Sequence, residues 1–233
     1  MSEVSETTVA EADAENQDDR WHWDWPRVIA LVATAAFIGG VIGYLIGRPD
    51  SPSFNDVDIG FLVDMSTHHD GAIKLAFRYV PEEHDRAITQ IAHEIITDQS
   101  VEINAMGVFL SEADTDKVNA VEGDNVAMEW MGHPVVGSRM PGMPSQADFE
   151  ELAASSGVKA DDVFTRLMID HHAAGAAMAD YESANGGDDK VRELAQRMAA
   201  NQRVEIAELN ERRVALGLTR YSPPADLTHL AGA

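Results

Sequence analysis

The chain has 233 residues, and its 40 acidic against 17 basic side chains give a formal net charge of −23. This charge excludes nucleic acid as a default partner, because binding to phosphates needs a basic surface. Cysteine is absent, which excludes disulfides, zinc–thiolate sites, iron–sulfur clusters and cysteine nucleophiles. Nine histidines and ten methionines remain as the residues of interest.

The N-terminal residues 1–27 are predicted to form a disordered acidic tail. Residues 1–19 carry seven acidic side chains and no lysine or arginine. Such a segment has almost no apolar surface to bury, so it has no means of offsetting the entropy lost on folding.

Residues 28–47 form an uncharged apolar stretch, VIALVATAAFIGGVIGYLIG. As a helix it would measure about 30 Å, which matches the hydrocarbon core of a bilayer. Trp21, Trp23, Trp25 and Tyr44 flank it, and such aromatic side chains favour the membrane–water interface. A cleaved signal peptide is the alternative, but its apolar core is normally shorter and its leading segment is basic. We therefore predict a retained single-pass transmembrane anchor in the lipid bilayer, followed by a linker at 48–56.

The charges beside this stretch predict its orientation. Arg20 and Arg27 precede it, whereas Arg48 alone follows closely. The positive-inside rule then places the N-terminus in the cytoplasm and the C-terminal domain outside the cell membrane.

Small residues recur every four positions along the same stretch, and they are Ala35, Gly39, Gly43 and Gly47. This spacing lets two helix backbones approach closely, so it predicts a homodimer through this face. Small residues are also simply common in membrane spans, which is the alternative explanation.

An internal repeat dominates the remaining sequence. Residues 61–110 and 164–213 align without gaps at a constant offset of 103 residues. FLVDMSTHHDGAIKLA pairs with FTRLMIDHHAAGAAMA, and DQSVEI pairs with NQRVEI. A repeat of this size is one supersecondary unit used twice.

Each repeat is predicted to be a helical hairpin, because its apolar residues recur at helical spacing and turn signals divide it. The predicted helices are 57–80, 83–111, 161–184 and 189–215. The sequence thus predicts an all-α chain, with an antiparallel four-helix bundle of two similar hairpins over 57–217. Residues 112–146 are a Gly- and Pro-containing connector, Ser145 caps a short helix, and 218–233 are predicted to be irregular.

One face of the first helix in each hairpin carries a thioether and two imidazoles. On a helical wheel, His68 and His69 fall about 60° and 40° on either side of Met65. Met168, His171 and His172 take the same angles in the second repeat, and small residues follow both sets. The facing helices present Gln99 with Glu102, and Gln202 with Glu205.

This pattern indicates a buried polar face that binds metal, with Glu102 and Glu205 accepting the outer ring N–H groups. Imidazole with thioether and without thiolate favours copper, especially Cu(I). A di-iron bundle would normally show Glu-x-x-His on two helices, and no helix here carries it properly. The alternative is a hydrogen-bonded His–Glu/Gln core that holds no metal.

Several further residues are weaker ligand candidates. Met106 and Met178 lie near the two His pairs on the predicted wheels. In the connector, Met128, Met131, His133, Met140 and Met143 fall within 16 residues, and a Gly/Pro-rich loop offers little core for packing. We therefore predict a second, more exposed copper-binding element there, with methionine packing as the alternative.

The paired blocks and the connecting MPGM resemble the bacterial family known as domain of unknown function 305, over about residues 54–215. The resemblance implies a ferritin-like helical bundle, usually outside the cytoplasm, with copper binding or copper tolerance in some members. It also implies that the functional positions are the six following residues: Met65, His68, His69, Met168, His171 and His172. Asp70 and Ala173 depart from the Gln or Glu that often follows the family's HH pairs, and Leu209 replaces the Met found at 106, so unequal halves are expected.

The sequence therefore predicts a membrane-anchored extracytoplasmic copper-binding protein that sequesters or delivers the metal. It contains no Ser/His/Asp arrangement, phosphate loop or dinucleotide fingerprint, so binding is favoured over catalysis. Two alternatives remain open: a ferritin-like metal-dependent oxidoreductase, and a metal-free interaction module tethered to the membrane.

Overall fold

The structure is a computed structural model that describes residues 25–46, 53–80, 84–113, 116, 118 and 126–228. The chain divides into two compact units, Met1–Asp50 and Ser51–Ala233. Residues 1–24 of the predicted tail at 1–27, Gly47 and residues 48–52 of the predicted linker at 48–56 lie outside the described residues, whereas residues 25–27 of that tail are helical.

The first unit contains helix α1, Trp25–Ile46, which covers nearly all of the predicted apolar stretch. Its large apolar side chains are exposed, including those of Leu31 and Phe37. Among the described residues, no helix combines the length and the apolar character that a membrane crossing requires.

The second unit is an all-α bundle, as predicted. Its long helices are α2 (Asp56–Tyr79), α3 (Arg86–Glu112), α5 (Val158–Asn185) and α6 (Asp189–Ala215). Helix α2 packs against α3, α5 packs against α6, and α2 also packs against α5. Each observed end lies within three residues of the predicted one. A short helix α4, Gln146–Ala153, precedes α5, and its capping box of Ser145 and Asp148 was predicted from the sequence.

Aspartate or asparagine caps set where three of the long helices begin. Asn55 and Asp58 form a capping box at the start of α2. Asp85 caps α3, and Asp188 caps α6 by accepting two backbone N–H groups of the first turn. These side chains satisfy backbone donors that have no partner inside the helix.

The apolar core consists of two clusters that mirror the repeat. The first joins Phe61, Leu62 and Met65 of α2 to Val191 and other residues of α6. The second joins the equivalent α5 residues, such as Phe164 and Met168, to α3. None of the four histidines of the HH pairs belongs to either cluster, although all four are buried.

The connector corrects one prediction, because its methionines are not exposed. Met128, Met131 and Met140 are buried in the first cluster. The cause is Asp64 on α2, whose Oδ2 accepts hydrogen bonds from the backbone N–H of Met128 and from Trp130 Nε1, each at 2.7 Å. The described connector residues 126–145 also contain β1 (Val126–Ala127), which is antiparallel to β2 (Val135–Val136), and two single 3₁₀ turns.

The segment after the bundle packs on it. Tyr221 donates its hydroxyl to Asp170 on α5 at 2.9 Å, and its backbone pairs with the side chain of Asn210 on α6. Residues 218–228 of the segment that was predicted to be irregular include a single helical turn, α7 (Ala225–Thr228).

Candidate metal centre

The structure brings the two HH pairs together in one buried layer. His68 and His69 lie on α2, and His171 and His172 lie on α5. The rings of His68 and His171 stack with their centroids 3.8 Å apart and their planes inclined by 21°. The repeat therefore produces one composite cluster across the α2–α5 contact.

Two backbone carbonyls of the connector hold the stacked rings. His68 Nε2–H donates to the carbonyl oxygen of Pro141 at 3.2 Å, and His171 Nδ1–H donates to that of Gly142 at 3.1 Å. Such an acceptor fixes which ring nitrogen carries the proton. These carbonyls were not predicted, and the MPGM turn that supplies them lies directly over the histidine layer.

The other two rings contact carboxylates, as the sequence predicted for Glu102 and Glu205. His69 Nε2–H donates to Glu102 Oε2 at 2.7 Å. Glu205 Oε2 lies 2.6 Å from His172 Nε2, but off the direction of the ring N–H, so this contact is an ion-pair distance without hydrogen-bond geometry. The two halves of the site thus differ slightly.

Each of the four rings retains one nitrogen that faces no hydrogen-bond donor. These buried atoms are His68 Nδ1, His69 Nδ1, His171 Nε2 and His172 Nδ1. A neutral imidazole with N–H on one nitrogen has a lone pair on the other, and a buried lone pair normally finds a partner. Over the described part of the chain, however, no three His, Asp or Glu side chains converge in a metal-binding arrangement.

Burial keeps the stacked rings neutral. Burial, followed by the charge of His69, lowers the pKa of His68 to about 3. Burial, followed by the charge of His68, likewise places the pKa of His171 well below its ordinary value of 6.5. Only a neutral ring can ligate a metal, so these side chains need not lose a proton first at pH 7.

The thioethers of the two repeats have different surroundings. Met65, Met106 and Met178 are buried together in the first cluster, along with the connector methionines. Met168 lies in the second cluster, where Leu209 stands at the position equivalent to Met106. The structure therefore offers more sulfur on the side of the first repeat.

The weaker connector candidates lie at different depths. Met140 is buried, whereas Met143 and His133 are half-buried. A Cβ atom on Gly71 would lie 2.8 Å from Met143 Sδ, so this thioether packs directly on α2. The same turn thus places the Pro141 carbonyl against His68 and the Met143 thioether against Gly71, which follows His69 by two residues.

Gln99 on α3 and Gln202 on α6 are also buried. Both Gln99 side-chain polar atoms and Gln202 Oε1 have no hydrogen-bond partner. Gly175 makes room for Gln202, because a Cβ there would clash with its Oε1. The layer therefore contains more unsatisfied polar atoms than a closed hydrogen-bonded core would tolerate.

Comparison with known proteins identifies the family of the bundle. The family description "Domain of unknown function (DUF305)" matches residues 58–213. A DUF305 protein from Streptomyces coelicolor has 24% identity and a TM-score of 0.60 over 71% of this chain and 97% of its own. A DUF305 fragment from Deinococcus radiodurans has 25% identity and a TM-score of 0.55 over 71% and 99%.

A third solved structure, described as CopM in the Cu(II)-bound form, has 23% identity and a TM-score of 0.51. It aligns with 68% of this chain over 97% of its own length, which establishes a shared fold only. No curated protein matches the chain. The match over residues 58–213, together with the duplicated bundle, shows that the chain belongs to the DUF305 family.

Proposed function

We propose that this protein binds copper in the histidine layer between α2 and α5 and sequesters or delivers it. The observation that carries the proposal is the set of four buried imidazoles. In each ring, one nitrogen lies beside an oxygen atom and the other has no hydrogen-bond partner. Metal-ligating histidines usually have an oxygen acceptor at one ring nitrogen and a free lone pair at the other.

The donor set favours copper, and Cu(I) in particular. Imidazole and thioether are the only soft donors in a chain without cysteine, and Met65 and Met168 precede the HH pairs by one helical turn. Zinc would prefer thiolate or a carboxylate as a direct ligand. The copper named for CopM belongs to that protein, and at 23% identity it adds only a shared fold to this argument.

Storage or transfer fits the site better than turnover. The imidazoles are buried beneath the MPGM turn, so a substrate would have no approach to the metal without displacing that turn. The competing explanation is a structural core of histidines bonded to Glu102 and to connector carbonyls. It predicts that replacing these histidines changes the stability of the bundle, whether or not copper is present.

We also propose that α1 anchors the bundle outside the cytoplasm. The support is the uncharged run at 28–47 and the arginines at its N-terminal side. Protease added to cells stripped of their outer barriers should remove the bundle. A protected bundle would reverse the proposed orientation.

The copper proposal is tested by competition between the full-length, untagged protein and a Cu(I) chelator. We expect His68→Gln/His69→Gln to lose Cu(I) affinity while circular dichroism shows an intact helical bundle, because Gln is polar but a poor ligand for soft metals. His93→Gln is the control, since His93 is exposed on α3. Wild-type affinity in a variant lacking all four histidines would disprove the proposal.

A further inference from the structure

The two ends of the bundle repeat the same interaction. The offset of 103 residues relates Asp58 to Asp161 and Asp85 to Asp188. The N–H of the capping residue Asp85 donates to Asp161 Oδ1 at 3.3 Å, and the N–H of Asp188 donates to Asp58 Oδ1 at 3.1 Å. Each hairpin therefore has an aspartate near its start. That aspartate accepts a hydrogen bond from the backbone N–H of the capping aspartate in the other hairpin.

The second side chain beside each of these aspartates differs between the two ends of the bundle. The same offset relates Tyr79 to Glu182. Tyr79 donates its hydroxyl to Asp161 Oδ1 at 2.5 Å. At the other end, a Cβ on Gly186 would clash with Glu182 Oε1 and lie 2.9 Å from Asp58 Oδ1. The carboxyl groups of Glu182 and Asp58 are therefore neighbours.

The hydrogen bonds show which of the two carboxyl groups carries the negative charge. Asp58 accepts backbone N–H groups from Asn55, Gly187 and Asp188 at 2.6, 2.9 and 3.1 Å, which stabilise its ionised form. Glu182 is fully buried, and among the described residues no N–H or O–H group donates a hydrogen bond to either of its oxygens. A buried carboxylate without donors beside another carboxylate is strongly disfavoured.

We propose that Glu182 is a neutral carboxylic acid at pH 7 and donates its O–H to Asp58, as Tyr79 donates its O–H to Asp161. The repeat carries this inference, because the same backbone geometry requires the same donor at both ends. The proton completes a junction at which Ser53 Oγ donates to Gly187 O and Asn55 Nδ2 donates to Asn185 O, each at 3.0 Å. It therefore ties the start of α2 to the turn between α5 and α6.

The surrounding charges agree with this assignment. Burial, followed by the hydrogen bond and the charge of Asp58, raises the pKa of Glu182 to about 9. Asp188 acts in the same direction, whereas Arg192 on α6 opposes it more weakly than Asp58 supports it. The pair Asp58–Glu182 therefore holds one negative charge and one proton.

The sign of the pH dependence follows from linkage. A carboxyl group whose pKa rises on folding contributes its full stability below its ordinary pKa of 4.5 and loses that contribution as pH rises to about 9. Glu182→Gln keeps a donor for Asp58 without a titrating proton. We expect the folding equilibrium constant of the wild type to fall by up to about tenfold per pH unit relative to this variant between these values.

The experiment uses the full-length chain in two measurements. Infrared spectra at pH 7 should contain a neutral carboxylic acid band that Glu182→Gln lacks, and urea unfolding from pH 5 to 9 should show the difference in slope. Tyr79→Phe is the matched control, because it removes the equivalent donor to Asp161 but no carboxyl proton, so it should lower stability and leave the acid band in place.

Two results would overturn the proposal. One is a wild-type spectrum without the acid band, together with equal pH slopes in wild type and Glu182→Gln. The other is a rise in unfolding temperature on adding calcium or manganese to wild type but not to Glu182→Gln, since the pair would then hold a hard cation in place of the proton.

Discussion

The imidazole rings of His68 and His171 belong to different repeats, yet they stack with their centroids 3.8 Å apart. Two sites that each used one HH pair would therefore lie in direct contact. Metal bound by one pair would change the position and charge of the other. If the layer binds copper as proposed, this stacking favours one shared centre over two separate ones.

A shared centre predicts how copper stoichiometry responds to mutation. Either His68→Gln/His69→Gln or His171→Gln/His172→Gln should remove essentially all high-affinity Cu(I) binding, because each pair supplies half of one ligand set. Equilibrium dialysis with metal analysis measures the bound copper. If each double variant instead retains about half of the wild-type copper, the two pairs form separate sites.

The MPGM turn should depend on glycine at position 142. Gly142 has a φ of +74°, and a Cβ would lie 2.8 Å from Asp170 O and His171 Cα. Gly142→Ala therefore combines left-handed backbone strain with a steric clash, and we expect a loss of roughly 2–4 kcal/mol in the free energy of unfolding. Urea unfolding measures this loss.

Gly132→Ala provides the matched control for backbone strain. Gly132 has a φ of +76°, but a Cβ there would have no neighbour within 4 Å. We expect it to cost only about 1–2 kcal/mol. Equal losses for the two variants would mean that the turn is not pressed onto α5 at His171.

The bundle and the histidine face could be predicted because both follow from local periodicity that occurs twice. The pattern also predicted Glu102 as a partner of His69. The carbonyls of Pro141 and Gly142 could not be predicted, since any residue supplies a carbonyl and only the path of the chain decides which ones reach the rings. The glycine at 142 within MPGM was the available sequence signal, since its φ is positive in the structure.

The burial of the connector was missed for a different reason. It depends on Asp64 reaching Met128 and Trp130, which lie more than 60 positions later in the sequence. No local pattern reveals such a contact. The apolar character of four methionines was a hint, but the glycines and prolines around them pointed to an exposed loop.

Asp64 should accordingly be important for stability. Asp64→Ala leaves the buried N–H of Met128 and the indole N–H of Trp130 without their acceptor, which should cost roughly 2–4 kcal/mol. Denaturant unfolding measures the loss, and tryptophan fluorescence should report a more exposed Trp130. Asp70→Ala on the same helix is the control, since its exposed pair with Lys74 should contribute at most about 1 kcal/mol. A loss no larger than that of the control would mean that the connector is held by its methionines alone.

Self-association through α1 should depend on the small-residue face. A Cβ on Gly43 has no neighbour within 4 Å in the single chain, so Gly43→Ile should not disturb the helix itself. It should reduce crosslinked dimer in membranes, because the larger side chain separates the two backbones. Ala30→Ile, on the opposite face of α1, should leave the dimer unchanged. An undiminished dimer in Gly43→Ile would move the contact elsewhere.

Acid should destabilise the bundle through the stacked histidines. The pKa of His68 falls from 6.5 to about 3 on folding, so the unfolded chain binds the proton more readily. The neutral ring therefore contributes its full stability above pH 6.5 and loses it as pH falls towards 3. With a strong copper chelator present, His68→Gln should reduce the slope of unfolding free energy against pH in this range by up to about 1.4 kcal/mol per pH unit.

His93→Gln, which alters an exposed ring, should keep the wild-type slope. A His68→Gln slope equal to that of wild type would show that this ring takes up a proton without unfolding the bundle.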